Sequence, residues 1–84
     1  MFYVYVLKSK KDGQGYIGST TDLKRRFAEH AQGIVPSTKP RRPLELVYYE
    51  AYKAEADARK REHNLKLKSR SYQQLRKRIA KSIE

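Results

Sequence analysis

The chain has 84 residues and a formal charge of +11, with 20 lysines and arginines against 9 acidic residues. A chain of this length is expected to form one domain, over residues 1–84, with a thin core. It has no cysteine, which excludes disulfides and thiolate metal sites. No apolar run is long enough to span a membrane and the N-terminus lacks the order of a signal peptide, so we expect a cytoplasmic protein.

The excess of basic residues favours a polyanionic partner, and nucleic acid is the commonest one. The part of the chain after residue 52 carries the larger share of this net charge. The plainer alternative is a set of solvated helix surfaces whose charge keeps the protein in solution.

The first two elements have the pattern of a β-hairpin. The run from Phe2 to Leu7 is rich in aromatic and β-branched residues, and Asp12-Gly13 is a turn signal before a returning strand at 16–18. An antiparallel pair would bring Tyr5 and Tyr16 close together. Because each buried tyrosine hydroxyl needs a partner, tyrosines are a costly way to fill a small core, and these two are candidates for a function.

A helix is predicted next, with Thr20 or Thr21 as its N-cap and Gly33 at its end. Arg26 and His30, one turn apart, lie on the border of its apolar stripe. The stripe itself recurs at helical spacing and is expected to be buried: Leu23, Phe27, Ala31 and Ile34.

All three prolines fall between residues 34 and 43, which predicts a stiff basic loop without regular structure. The run "LELVYYE", residues 44–50, then has strand character. Its apolar and polar residues do not alternate cleanly. Burial on both faces, as in a central strand, would explain that pattern.

A second helix is predicted over residues 54–68, and Glu62 falls on its weak apolar stripe of Ala54, Ala58 and Leu65. A carboxylate on an inward face is costly unless it is paired or bound to a cation. Glu62 is therefore either the salt-bridge partner of a nearby arginine or a metal ligand. A last amphipathic helix is expected over about residues 71–83.

Five segments in this order resemble the GIY-YIG endonuclease superfamily: "YVYVL", "YIGST", "DLKRRFAEH", "RRPLELVYYE" and "ARKREHNLK". The resemblance covers residues 2–68 and is to small single-domain bacterial members, and to the GIY-YIG domains of the DNA-repair excinuclease and of intron homing endonucleases. It implies an α+β fold with a three-stranded antiparallel sheet flanked by helices, in the order β-β-α-β-α. The residue patterns predict the same order, followed by the C-terminal helix.

The resemblance also implies the members of an active site. Tyr5 and Tyr16 match the signature tyrosines, which take or orient the proton of the attacking water, and Gly18 matches the glycine of the second signature. Arg26 occupies the catalytic arginine position and His30 that of a frequently catalytic histidine. Glu62 matches the glutamate that binds the divalent metal, Mg²⁺ or Mn²⁺.

These residue types suit phosphodiester hydrolysis. A hydrated Mg²⁺ needs few protein ligands, an arginine grips two phosphate oxygens, and a histidine can relay a proton near neutral pH. A phenol is a poor base at pH 7 unless cations stabilise the phenolate, as Arg26 and a metal would. Each residue also has a plainer structural interpretation. Glu62 could form an ion pair with Arg26, Arg26 could be an ordinary surface arginine, and His30 could be a half-buried helix residue. The two tyrosines could be ordinary strand residues.

The sequence therefore predicts a metal-dependent DNA endonuclease directed to a DNA structure or lesion, as in DNA repair, with a homodimer or a partner protein supplying specificity. The alternative is a nucleic-acid-binding module of the same fold with weak or no turnover. Larger nucleases of the family that this chain resembles carry an Asn near the end of the domain, and some lineages a second active-site histidine, whereas here no Asn follows Asn64 and the proline-rich loop has no histidine. A basic protein that binds RNA or the ribosome is a third interpretation. Contacts to backbone phosphates are expected from Lys39, Arg41, Arg42, Arg70, Arg76, Lys77 and Arg78.

Overall fold

The computed structural model describes residues 1–84. It confirms the predicted α+β class and the order β-β-α-β-α with helices after it. No helix is both long and apolar enough to cross a membrane. The elements are β1 (Phe2–Ser9), β2 (Gly15–Thr20), α1 (Leu23–Gln32), a 3₁₀ turn (Lys39–Arg41), β3 (Leu44–Tyr52), α2 (Glu55–Leu67), α3 (Ser69–Arg78) and α4 (Ala80–Ile83).

The sheet is antiparallel in the order β2-β1-β3, so β1 is the central strand and β3 lies at an edge. The prediction of a central third strand is therefore wrong. The register shifts beside Val6 and Leu7: Val6 pairs with Tyr48 whereas Leu7 pairs with Leu46, which leaves Val47 as an extra residue. This bulge, and not burial on both faces, breaks the alternation that the sequence shows.

The alternation along β1 gives the sheet two different faces. One face, which we call the tyrosine face, carries Tyr3 and Tyr5 and packs against α1. The opposite face, which we call the core face, carries Val4 and Val6 and packs against α2 and α3. Its buried apolar cluster consists of Val4, Val6, Ile17, Ala58, Leu65 and Leu75.

Helix α1 begins at a different cap from the one predicted. The Asp22 carboxylate accepts a hydrogen bond from the Arg25 N–H at 3.0 Å. The Thr20 hydroxyl cannot serve as this cap because it lies two residues too early, where it accepts from the Asp22 N–H. The helix ends as predicted at Gly33, whose φ of 80° is the left-handed conformation that favours glycine.

The buried side of α1 is polar. His30 is its one fully buried residue, Leu23 and Phe27 are half-buried, and the other two members of the predicted stripe, Ala31 and Ile34, are exposed. The predicted apolar stripe is thus wrong in its second half. The reason lies in the sheet, because the tyrosine face offers α1 a phenol hydroxyl that an imidazole can satisfy and an aliphatic side chain cannot.

The proline-rich loop is more ordered than predicted. Residues Lys39–Arg41 form a 3₁₀ turn, in which the fixed φ of Pro40 is compatible with helical geometry. Val35 and Thr38 are buried, and the Ser9 hydroxyl donates to the Arg41 carbonyl at 2.7 Å. The loop is therefore fastened to the end of β1 and lies against α1.

The C-terminal segment forms two short helices, where one helix over about residues 71–83 was predicted. Ile79, between α3 and α4, has φ −111° and ψ 27°, outside the α-helical range. The change of direction leaves Ile79 packed against the apolar cluster and places the Ile83 carbonyl where the Lys8 ammonium group donates to it.

An ionic network fastens α2 to β3. The Arg61 guanidinium donates to both carboxylate oxygens of Glu50, each at 3.0 Å, and the hydroxyls of Tyr48 and Tyr52 donate to the same carboxylate. Burial raises the pKa of Glu50, but the hydrogen bonds from Arg61 and the tyrosines outweigh it and leave that pKa lowered. Because Arg61 precedes Glu62, the network also fixes the part of α2 that carries Glu62.

Candidate functional site

The site begins with the contact of Tyr5 and Gly18, which are paired across β1 and β2. A Cβ atom on residue 18 would lie 2.4 Å from the Tyr5 hydroxyl oxygen, too close for any side chain. The missing side chain at this position therefore lets the buried phenol lie across β2, toward the edge of the sheet. Gly18 has a steric role here.

His30 holds the Tyr5 hydroxyl from α1. Its Nε2 is 2.9 Å from the Tyr5 hydroxyl, and its Nδ1 is 2.7 Å from Oγ1 of Thr38. The Tyr16 ring packs edge-on against the imidazole, with ring centroids 5.3 Å apart. Burial lowers the pKa of His30 and the nearby Arg26 charge lowers it further, so the imidazole is neutral at pH 7.

Arg26 brings a permanent positive charge to Tyr5. Burial raises the pKa of Tyr5, and the nearby Arg26 guanidinium acts against that rise. The same guanidinium forms a salt bridge with Glu29 at 3.0 Å, and its side chain is 36% exposed. It is therefore held beside the phenol and remains open to a ligand from solvent.

Glu62 approaches from the core face. Its Oε1 accepts from the Ser19 hydroxyl at 2.7 Å, and its Oε2 pairs with the Lys66 ammonium at 2.8 Å. Burial raises the pKa of Glu62, but Lys66 and Ser19 lower it more, so the carboxyl is ionised at neutral pH. Its negative charge also contributes to the raised pKa of Tyr5.

Four of the expected site residues, Tyr5, Tyr16, Arg26 and His30, lie together on the tyrosine face. Glu62 reaches β2 from the core face, where it is bound to Ser19, the neighbour of Gly18. The ion pair between Glu62 and Arg26, which the sequence left open, does not form, because each group has a nearer partner on its own helix.

Nowhere does the chain gather three or more His, Cys, Asp or Glu side chains that could hold a metal ion. Glu62 is a single ionised carboxylate, and its pairing with Lys66 covers one of its two oxygens. The side chain of Lys66 is 46% exposed and can move into solvent. A hydrated divalent cation at Glu62 is compatible with this donor set, since Mg²⁺ keeps several waters.

The basic residues expected to bind phosphates do not form one cluster. Lys39, Arg41 and Arg42 lie beside α1, whereas the basic residues of α3 lie behind the core face. Arg42 is already bound to the carbonyls of Lys39 and Ala31, and Arg76 lies over the Tyr72 ring at 5.9 Å. Arg70, Lys77 and Arg78 are exposed.

Three residues of the site were missed from the sequence. Lys66 was readable in principle, because a lysine four positions after a glutamate on a helix is its natural partner. Ser19 and Thr38 gave no signal, since their side chains meet Glu62 and His30 only through the tertiary structure.

Comparison with known families identifies the family of this chain. The model of the GIY-YIG catalytic domain matches residues 1–78. The chain belongs to the GIY-YIG family, a family of nucleases, as the sequence motifs indicated.

Within that family the chain is similar to proteins called UPF0213. It is 41% identical over 69 residues to one from Staphylococcus saprophyticus, covering 81% of this chain and 83% of the relative. It is 44% identical over 70 residues to one from Natronomonas pharaonis, covering 82% and 81%. The solution NMR structure of the Bacillus halodurans UPF0213 protein superposes with a TM-score of 0.57 at 40% identity, covering 89% of this chain and 82% of that chain.

Proposed function

We propose that this protein is a divalent-metal-dependent endonuclease that hydrolyses DNA phosphodiester bonds at a structure or lesion. The observation that carries the proposal is that Tyr5, Arg26 and His30 lie together on the tyrosine face, while Glu62 is bound to Ser19, next to the glycine over which the Tyr5 ring lies. The four side chains come from three elements, and packing alone does not require a phenol, a guanidinium, an imidazole and a carboxylate around one strand.

The phenol and the guanidinium have complementary tasks in this reaction. Tyr5, held by His30, orients the attacking water and takes its proton, and Tyr16 lines the same position. Arg26 is permanently charged, so it can bind two phosphate oxygens and stabilise the negative charge that grows on them in the transition state.

Glu62 is the residue that would hold Mg²⁺ or Mn²⁺, with water in the remaining positions. When bound, such a cation supplies positive charge at the phosphate and acidifies a bound water. Ser19 holds the carboxylate in place by donating to Oε1. Lys66 covers Oε2, so its ammonium has to move aside when the cation binds.

The net charge of +11 supplies the affinity for nucleic acid. Contacts of exposed lysines and arginines with phosphates release counterions, so binding is expected to weaken steeply as the salt concentration rises. Such contacts carry little sequence information. A homodimer or a partner protein would then add the specificity that an 84-residue chain does not supply.

A nucleic-acid-binding module without turnover is the alternative function. It is favoured by the Lys66 ammonium, which satisfies the Glu62 carboxylate without a metal, and by the lack of any group of three or more His, Cys, Asp or Glu side chains that could hold a metal ion. The two functions differ in whether product forms, and not in whether DNA binds.

The test is cleavage of labelled single-stranded, duplex and branched DNA with Mg²⁺, Mn²⁺ or EDTA. We expect product from the wild type in the presence of metal and a loss of at least about 100-fold in Glu62→Gln, because the substitution removes the charge that holds the metal. Asp57→Asn is the matched control, since it removes an exposed carboxylate from the same helix.

Circular dichroism should show that all three proteins are folded. Equal cleavage by Glu62→Gln and the wild type would exclude Glu62 as the metal ligand. No product on any DNA, together with salt-sensitive binding by wild type and variant alike, would replace the nuclease with the binding module.

A further inference from the structure

The groups around His30 carry more donor protons than there are hydrogen bonds for them. A neutral imidazole has one N–H donor and one acceptor nitrogen. It lies between two hydroxyls, those of Tyr5 and Thr38, and each hydroxyl carries a proton of its own. Three protons therefore compete for two hydrogen bonds, and only one of the two hydroxyls can donate to His30.

The Thr38 hydroxyl is the better candidate to donate to the unprotonated nitrogen of His30. Its side chain is fully buried, and Nδ1 of His30 is the one hydrogen-bond partner of its hydroxyl. If Thr38 accepted from Nδ1, its own proton would be buried without an acceptor, which costs free energy. The Tyr5 side chain is buried as well, but its hydroxyl lies beside the Arg26 guanidinium, which is 36% exposed. In the proposed reaction a phosphate oxygen bound by Arg26 can accept the Tyr5 proton, whereas nothing but Nδ1 can accept that of Thr38.

The charged and titratable groups that face the imidazole are Arg26 and Glu29 from α1, Tyr5 from β1 and Tyr16 from β2. Burial and the Arg26 charge lower the pKa of His30, while Glu29 acts weakly in the opposite direction. The imidazole is therefore neutral, and its single proton lies on either Nδ1 or Nε2. The doubly protonated form would leave both hydroxyl protons without acceptors.

We infer that Thr38 is a positioning residue: its hydroxyl donates to Nδ1 and fixes His30 in the tautomer that carries its proton on Nε2, so that His30 donates to Tyr5. His30 is then a hydrogen-bond donor to the phenol oxygen, and the Tyr5 proton points into the site. This deepens the proposed function, on which its catalytic part rests.

The arrangement becomes complete when Tyr5 loses its proton. Tyr5 releases that proton to water in the site, and the phenolate then accepts from Nε2–H and from Arg26. Around the imidazole, the two donors, Nε2–H and the Thr38 hydroxyl, then match the two acceptors, the phenolate oxygen and Nδ1. The phenolate can next take the proton of the attacking water, which regenerates the neutral phenol.

The test is NMR of the uniformly ¹⁵N-labelled full chain, with long-range ¹H–¹⁵N correlations that report which imidazole nitrogen is protonated. We expect a single Nε2–H tautomer for His30, and a slowly exchanging Thr38 hydroxyl proton coupled to Nδ1. The exposed His63 is the internal reference, since free imidazole exchanges between both tautomers. In Thr38→Val we expect His30 to populate both tautomers, and in Thr38→Ser we expect the single Nε2–H tautomer to remain.

The cleavage rate provides the second readout. Thr38→Val is expected to cleave about ten- to hundred-fold more slowly than the wild type, with Thr38→Ser close to the wild type. An Nδ1–H tautomer in the wild type would overturn the inference, as would a single Nε2–H tautomer that persists in Thr38→Val. Because the tautomer is read without substrate, a protein that cleaves nothing would refute the proposed function and leave this result standing.

Discussion

Gly18 shows how much of the site depends on one absent side chain. The Tyr5 ring occupies the space where a Cβ at position 18 would be, and the hydrogen bond to His30 requires the ring to stay there. A GIY-YIG signature glycine thus has a physical explanation in this chain, which is room for the phenol.

We predict that Gly18→Ala displaces the Tyr5 ring, slows DNA cleavage by about 100-fold and lowers the free energy of unfolding by about 1–3 kcal/mol. The cleavage rate and urea-induced unfolding check the two effects. The control is Gly13→Ala, where a Cβ meets no atom within 4 Å but the φ of 75° is strained. It should lose stability and retain the cleavage rate of the folded protein. Cleavage by Gly18→Ala at the wild-type rate would refute the steric role.

At the scale of the elements, the position of Glu62 depends on how α2 is held. Ala58 and Leu65 bury the inner side of the helix in the apolar cluster, and Arg61 binds Glu50 on β3. The apolar contacts determine which side of α2 faces the sheet, and the ion pair restrains the helix along and around its axis because its geometry is directional.

We predict that Glu50→Gln lowers the free energy of unfolding by about 1–3 kcal/mol, since it weakens charge-assisted hydrogen bonds that are largely shielded from water. Urea unfolding followed by circular dichroism measures this loss. Glu45→Gln is the control, because Glu45 is exposed on the same strand. Burial and the hydrogen bond to Glu50 raise the pKa of Tyr52 to about 12, and in Glu50→Gln that pKa should move back toward the ordinary tyrosine value.

At the scale of the whole molecule, the buried neutral His30 couples folding to pH. Its pKa in the folded protein lies below the ordinary value of 6.5 that it regains on unfolding. The unfolded chain therefore binds more protons below pH 6.5, so stability is fully present above that pH and is lost as the pH falls through the range between the two pKa values. The lowered pKa values of Glu50 and Glu62 give a second loss at lower pH, below their ordinary value of 4.5.

We predict that the free energy of unfolding begins to fall as the pH drops below about 6.5, and that His30→Gln removes this first part of the dependence. Urea unfolding at a series of pH values measures it. His63→Gln, at an exposed position of α2, should leave the whole curve unchanged. A curve that is flat between pH 6.5 and 5 for the wild type would show that His30 is not held neutral by its surroundings.

The parts of this protein that depend on local order could be predicted from its residues. The hairpin, the end of α1 at Gly33, the α2 helix and the order of the elements follow from turn residues and from the periods of two and 3.6, which neighbouring residues alone set. The motif spacing also indicated the family and named Tyr5, Tyr16, Arg26, His30 and Glu62 together.

How these groups meet could be learned only from the folded chain. The residue pattern of a strand does not determine which strand is central. The bulge at Val47 disturbed the alternation of β3 in the way that burial on both faces would. His30 became a buried residue because Tyr5 needs a partner across the sheet, and Thr38 and Ser19 acquired their roles from contacts between residues far apart in the chain. Such contacts depend on which faces pack together, which the order of residues along one element does not record.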